Sequence, residues 1–255
     1  MKTKCSVTLS ANAGVSVIFK KDGVERRIWI DAAHRGKIVG FSTIYNDLWN
    51  EVKADEHFAS PDVIFFTHCH GDHFSKRLAE EAIRMWPNAH VLLPEDRLGT
   101  PGDPATHPVH EHLISGHRVL IKGASPDDLS LDIVRVPHEG ARFANVPHYG
   151  IFLSFGGVTV FASGDCELAT DTLLPYLEGR TIDLAILAFP WITLQRGRKY
   201  LEAHMQPRHI LACHLPFEED DVHGYRPAAV HSAGMLPGME VRVLDNPLQT
   251  EEYEF

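Results

Sequence analysis

Cysteine is scarce: 4 residues in 255, Cys5, Cys69, Cys166 and Cys213, with no C-x-x-C spacing. A disulfide framework and a zinc ribbon are thereby excluded, and a reduced, cytoplasmic setting is expected. No N-x-S/T acceptor occurs. Long apolar runs are also missing. The longest, over 184–192, is far short of the roughly 20 residues that a membrane-spanning helix needs, so no membrane partner is expected. The run after Lys2 and Lys4 is broken by Ser6, Thr8, Ser10 and Asn12 and does not read as a signal peptide. Positive charge is in deficit, with 24 Lys and Arg against 34 Asp and Glu and a formal net charge of −10. Nucleic acid is excluded as a partner on this ground, because a long contact with phosphates needs many cations. A small local basic pocket stays open. The chain also lacks G-x-S-x-G, the P-loop and G-x-G-x-x-G, hence the usual signatures of a serine nucleophile or a nucleotide cradle.

What is present is a globular balance, 44% hydrophobic and 23% charged, with an excess of histidine, 17 residues. The length suits one α/β domain over residues 1–255. Short β-rich runs at 5–11, 14–19 and 26–30 are separated by Asn-Ala-Gly and Lys-Lys-Asp-Gly, which is hairpin chemistry. The spacing predicts helices over 43–53 and 75–86, the second stopped by Pro87, around strands at 63–66 and 90–93. Residues 94–117, rich in proline and glycine, read as a long loop or lid. Strands follow at 118–121, 129–136, 149–155 and 158–162, the last two joined by Gly156-Gly157. The remainder alternates helices at 167–177, 198–205 and 227–233 with strands at 182–188, 210–213 and 240–244. Two β-rich halves, each followed by helices, imply two packed sheets with helices outside.

The stretch Thr67-His68-Cys69-His70-Gly71-Asp72-His73 lies between a buried strand and a helix. His68 and His70, two apart in an extended segment, leave on the same side of the chain. Gly71 permits a sharp turn that lets Asp72 and His73 point into the same space. Imidazoles and a carboxylate converging in this way are metal ligands suited to zinc or iron. Further candidates stand at strand ends: His138 or His148, each after Val-Pro, then Asp165 in Ser-Gly-Asp-Cys, and His214. Cys69, Cys166 and Cys213 neighbour these ligands and read as small buried hydrophobes.

On these residues the chain resembles the metallo-β-lactamase superfamily: its H-x-H-x-D-H motif matches His68, His70, Asp72 and His73, its Gly-Asp matches Gly164-Asp165, and its closing histidine matches His214. Within it, GIFLSFGGVTVFASGD over 150–165 looks like the hairpin of the ascorbate-phosphate-lactonase-like and phosphodiesterase-like hydrolases. The resemblance implies a four-layer αββα sandwich, two mixed sheets packed face to face with helices outside. It also implies two divalent ions, zinc first and manganese or iron as alternatives. His68, His70 and His138 would hold one ion, and Asp72, His73 and His214 the other, with Asp165 bridging. His138 is favoured over His148 because the family presents its third histidine at a strand end; His148 is then a substrate contact or merely an exposed histidine. Asp31, ending Ile-Trp-Ile-Asp, would orient the site or merely terminate a strand. A histidine at position 70, where flavodiiron-type relatives carry a carboxylate, disfavours redox iron chemistry.

The implied enzyme is a metal-dependent hydrolase in which a metal-bridged hydroxide attacks a small phosphorylated, lactone or ester substrate, with Asp72 orienting the water or taking its proton. The alternatives are a phosphodiesterase on nucleotide or phospholipid-like esters and a non-catalytic metal-binding or regulatory protein. In the basic cluster Gln195-Arg196-Gly197-Arg198-Lys199, Arg198 is the candidate for an anionic substrate group. A homo-oligomer is compatible with the sequence.

Overall fold

The computed structural model describes residues 2–94, 110–112, 117–121 and 128–255. The loop or lid expected over 94–117 therefore lies largely outside the described residues. The first half runs β1 (Lys4–Ala11), β2 (Gly14–Lys21), β3 (Val24–Ile30), α1 (Asn46–Ala54), β4 (Val63–Phe65), α2 (Lys76–Met85), β5 (His90–Leu93) and β6 (His110–His112). The second half continues with β7 (His117–Ile121), β8 (Leu129–Arg135), β9 (Tyr149–Phe155), β10 (Val158–Ala162), α3 (Leu174–Leu177), β11 (Leu184–Ala188), α4 (Pro190–Thr193) and α5 (Gln195–Tyr200). It closes with β12 (His209–Cys213), α6 (Tyr225–Ala233), β13 (Glu240–Val243) and β14 (Thr250–Glu254).

Among the described residues, the strands form two 7-stranded mixed sheets, ordered β14-β1-β2-β3-β4-β5-β6 and β13-β12-β11-β10-β9-β8-β7. In the first, β14 to β3 pair antiparallel and β3 to β6 parallel. In the second, β13 to β10 pair parallel and β10 to β7 antiparallel. Because β8 and β10 both run opposite to β9, their C-terminal ends reach the same rim. In α/β sheets that rim, outside the carboxyl ends of the strands, is where ligands bind.

Side chains alternate between two layers, as a pleated strand with both faces covered requires. Leu184 and Ile186 of β11 join the core that includes Val15 and Phe19, whereas Ala185 and Leu187 pack with Trp191, Leu201 and Ala229. Phe19 meets Phe155 of the second sheet with ring centroids 5.8 Å apart. On the outer side of the first sheet, Trp29 is packed edge-on by Trp49, Phe58 and Trp86 at 6.3, 5.6 and 4.9 Å. Burying each such aromatic contributes about 1.5–3 kcal/mol. The order of layers is helix, sheet, sheet, helix, the αββα sandwich expected.

Several stretches differ from the sequence expectation. The helix expected over 167–177 is a 3₁₀ turn, Asp171–Leu173, followed by the short α3. Its first residues are tied elsewhere: Glu167 N donates to Pro137 O at 2.8 Å and Leu168 N to Glu139 Oε2 at 2.9 Å. The helix expected from Arg198 begins at Gln195 and ends in a π turn over Leu201–Met205. Gly197 allows this, since a Cβ there would stand 2.4 Å from Trp191 O. The strands β6 and β14 were not foreseen. Among the described residues, no helix is long and apolar enough to cross a membrane.

Candidate metal centre

The motif loop leaves β4 and turns into α2 by local hydrogen bonds: His73 N and Phe74 N donate to His70 O at 3.0 and 2.8 Å, and the Ser75 hydroxyl caps Leu78 N. Gly71 lies against Gly36, whose N donates to Gly71 O at 2.6 Å; a Cβ on Gly36 would stand 2.4 Å from the Gly71 carbonyl carbon. Here glycine is required by close backbone approach. At Gly164, beside Asp165, both reasons apply. Its φ is +51°, and a Cβ would meet His148 Nε2 and Thr67 Cβ at 2.8 Å.

His68, His70, His138, Asp72, His73, His214 and Asp165 converge on one rim. His68 Nε2 lies 3.0 Å from His70 Nδ1, and His138 Nε2 lies 3.3 and 3.2 Å from those two atoms. These separations match the roughly 3.3 Å edge of a tetrahedron with nitrogens about 2.0–2.1 Å from zinc. A second group joins His73 Nε2 and His214 Nε2, 3.1 Å apart, with Asp72 Oδ2 3.9 and 3.6 Å from them. Asp165 stands between, Oδ1 3.2 Å from His214 Nε2, and Oδ2 3.3 Å from His73 Nε2 and 3.6 Å from His138 Nε2. Asp72 Oδ1 is buried without a hydrogen-bond partner. Nitrogens facing nitrogens and an unpartnered buried carboxylate oxygen are what a pair of divalent cations would satisfy. The residues fit that group.

Surrounding atoms set the tautomers. Asp31 is buried with φ 52°. Its Oδ1 accepts from Thr67 N at 2.7 Å; its Oδ2 accepts from Thr67 Oγ1 at 2.6 Å and faces His73 Nδ1 at 2.8 Å. Since the Thr67 hydroxyl donates to Asp31, it is left to accept from His68 Nδ1, 3.0 Å away. One carboxylate thus directs the Nε2 lone pairs of His73 and, through Thr67, of His68 into the site, one from each triad. His138 Nδ1 lies 2.8 Å from Glu139 O, which turns its Nε2 inward. His214, itself at φ 61°, is anchored by its N to Asn12 O at 2.8 Å, and Asn12 Nδ2 reaches Asp72 O at 3.4 Å.

Burial lowers the pKa of His68, His70 and His138, which favours the neutral imidazole that binds a metal. For His73 burial acts the same way, but the Asp165 and Asp31 carboxylates overcome it and raise the pKa well above the usual histidine value. His214 is raised too, burial being outweighed by Asp165. Despite its own burial, Asp165 is held well below the carboxylate range by His214 and His73. Cys69, Cys166 and Cys213 belong to none of the candidate ligand groups among the described residues, and burial pushes the Cys213 thiol up to about 12.

Two residues proposed as substrate contacts lie elsewhere. His148 is fully buried behind the ligands, its ring 5.1 Å from His68 and 5.4 Å from His138, and it does not line the cavity over the site. Burial holds its pKa down at about 3. Arg198 donates from Nη1 to Ile192 O and Thr193 O at 2.8 and 2.7 Å, closing the end of α4. The cavity, about 250 Å³, opens over His70, Asp72, His138, Asp165 and His214. Its walls include Ile38, Phe41, Phe143, Leu168, Phe189 and Arg142, none of them foreseen. Ile38, Phe41, Leu168 and Phe189 sit in loops and turns, and Arg142 and Phe143 in a single 3₁₀ turn, where no periodicity marks a side chain as facing a site.

The family model for the beta-lactamase superfamily domain matches residues 26–222, and the chain belongs to that superfamily. Among solved structures it is similar to Igni18, a metallo hydrolase from the hyperthermophilic archaeon Ignicoccus hospitalis, at 17% identity and TM-score 0.60 over 99% of each chain. Similarity extends to an isothiocyanate hydrolase from Delia radicum gut bacteria, at 12% identity and TM-score 0.59, covering 97% of this chain and 98% of that one. CmlA, a diiron β-hydroxylase from Streptomyces venezuelae, is 15% identical with TM-score 0.61, covering 98% of this chain and 54% of CmlA. The search of curated proteins found no match.

Proposed function

We propose that the protein is a metal-dependent hydrolase that holds two divalent cations, zinc or in its place manganese or iron, and cleaves a small phosphorylated, lactone or ester substrate. The observation that carries this reading is the pair of ligand triads with Asp165 between them, at the floor of a cavity. His68, His70 and His138 would hold one cation and Asp72, His73 and His214 the other. When bound, two such ions bring the pKa of a water from about 15.7 toward about 7 and polarise the bond under attack. The chain's own residues do the rest. Asp31, directly at His73 and through Thr67 at His68, keeps lone pairs directed inward. Asp72, whose Oδ1 is unpartnered, is the group that orients the attacking water or takes its proton. Phe41 and Phe143 wall the site against bulk water.

The diiron hydroxylase of similar fold makes oxidation a second reading. The donor set, in which His70 stands where flavodiiron-type relatives carry a carboxylate, supports hydrolysis instead. The complete ligand set also argues against a binding protein that has lost turnover. Elemental mass spectrometry of protein purified without chelators is expected to give two equivalents of metal per chain. His70→Ala and Asp165→Ala are expected to lose metal and turnover together while keeping secondary structure. Turnover retained at reduced metal content would refute the two-ion mechanism.

A further inference from the structure

The cavity has a chemical bias that the ligand set alone does not disclose. Phe41 packs edge-on against His214, with ring centroids 4.8 Å apart and planes at 80°. Phe143 packs against His70 at 4.9 Å and His138 at 4.7 Å. Two phenyl rings thus border the two triads, and Ile38, Leu168, Ala188, Phe189 and Pro190 continue the apolar wall.

Two of the three arginines nearby are engaged elsewhere. Arg198 closes α4, and Arg196 Nη2 pairs with Glu139 Oε1 on the rim. Arg142 is the one cation lining the cavity among the described residues, and its guanidinium lies over the Phe143 ring, 4.5 Å from the centroid. A phosphate monoester brings a charge of about −1.5 to −2 near neutral pH. Its remaining oxygens call for Arg or Lys donors, bidentate where selective. An uncharged acyl compound needs only an apolar wall and the polarising centre.

We infer that this cavity selects uncharged carboxylic esters or lactones with an apolar body over phosphate esters, and that Phe41 and Phe143 are the residues that set the choice. This rests on the hydrolase reading above and narrows it. At about 250 Å³, the cavity is smaller than the roughly 300–1,000 Å³ of sites for drug-sized ligands, which limits the body to a short chain or one ring.

The test uses the zinc-loaded protein. For p-nitrophenyl acetate, butyrate and hexanoate, kcat/KM is expected to rise up to about fourfold per methylene until the cavity is filled. p-Nitrophenyl phosphate and bis(p-nitrophenyl) phosphate are expected to be at least about tenfold poorer. Calorimetric binding of unreactive methyl ketones of the same chain lengths is expected to follow the same slope. Phe143→Ala and Phe41→Ala are expected to flatten both slopes at unchanged metal content. Phe143→Leu, which keeps an apolar wall, is expected to restore most of the slope. Phosphate esters cleaved as well as the esters, or ketone affinity independent of chain length, would overturn the inference and leave the hydrolase standing. Chain-length-dependent ketone binding in a two-metal protein that cleaves none of these compounds would overturn the hydrolase reading while upholding the selection of uncharged carbonyl compounds.

Discussion

Replacing Asp31 with asparagine is expected to weaken both metal positions at once, although Asp31 belongs to neither. The carboxylate meets three donors: Thr67 N at Oδ1, and Thr67 Oγ1 and His73 Nδ1 at Oδ2. An amide of the same shape keeps one acceptor oxygen. With that oxygen at the Oδ2 position, the NH₂ faces Thr67 N–H, and a buried donor is left unpaired at about 1–3 kcal/mol. With the NH₂ at the Oδ2 position, the Thr67 hydroxyl must turn to accept from it and His73 must move its proton to Nε2. His68 then shares its acceptor with a competing donor, and His73 presents a proton where a ligand lone pair belongs. Removing an orienting partner of this kind typically lowers metal affinity 10–100-fold, which is about 1.4–2.7 kcal/mol. The assay is a competition titration of metal-free protein with zinc and a chromophoric chelator, resolving two steps, with circular dichroism to confirm folding. Thr67→Val separates the two arms, since it removes the partner of His68 and leaves the Asp31–His73 contact. It is expected to weaken one step and spare the other. Wild-type affinity at both steps in Asp31→Asn would refute the reasoning.

Acid should destabilise the metal-free protein through buried neutral histidines. Burial lowers His34 from 6.5 to about 4 and His148 from 6.5 to about 3. The unfolded chain therefore binds protons that the folded one refuses, and the stability, fully present above pH 6.5, is lost as pH falls toward those folded values. Each group contributes a slope of up to about 1.4 kcal/mol per pH unit, to be measured by urea unfolding at pH 7, 6 and 5. A slope unchanged in His148→Gln would count against its share. Gly36→Ala is expected to cost about 1–3 kcal/mol by overpacking and to reduce bound metal, because the new methyl would push the 35–45 loop off Gly71; thermal unfolding and metal analysis read both. Arg198→Ala is expected to lose about 1–2 kcal/mol of stability with its carbonyl contacts while leaving KM within about twofold. A large rise in KM would return Arg198 to the substrate.

Local chemistry in the chain was enough for the main strands, the helices α1, α2 and α6, and the His68–His73 cluster of candidate ligands, but left the third histidine open between His138 and His148. A buried strand followed by His-x-His-Gly-Asp-His carries its geometry within a few residues, and His138, Asp165 and His214 are marked by standing just beyond β-rich runs. The same local signals misread 167–177 as a helix, because its first amides are bound by Pro137 and Glu139, about 30 residues away in sequence. Nor did they find β14, whose residues 250–254, three of them glutamate, carry no strand pattern strong enough to foretell pairing with β1. The partition of histidines between site and interior was likewise a tertiary matter: His138 and His148 both follow Val-Pro, yet one turns its Nε2 to the ligands and the other is sealed behind them. Asp31 reads from sequence equally as a strand terminator or an orienting residue, and the fold makes it both, by carrying the Thr67–His73 loop past the end of β3. The cavity walls and the engagement of Arg196 and Arg198 arise only when loops from distant parts of the chain meet at one rim. Ligand identity is a property of side-chain type and short spacing, which a sequence displays directly, whereas selectivity depends on which surfaces face each other, which long-range packing decides.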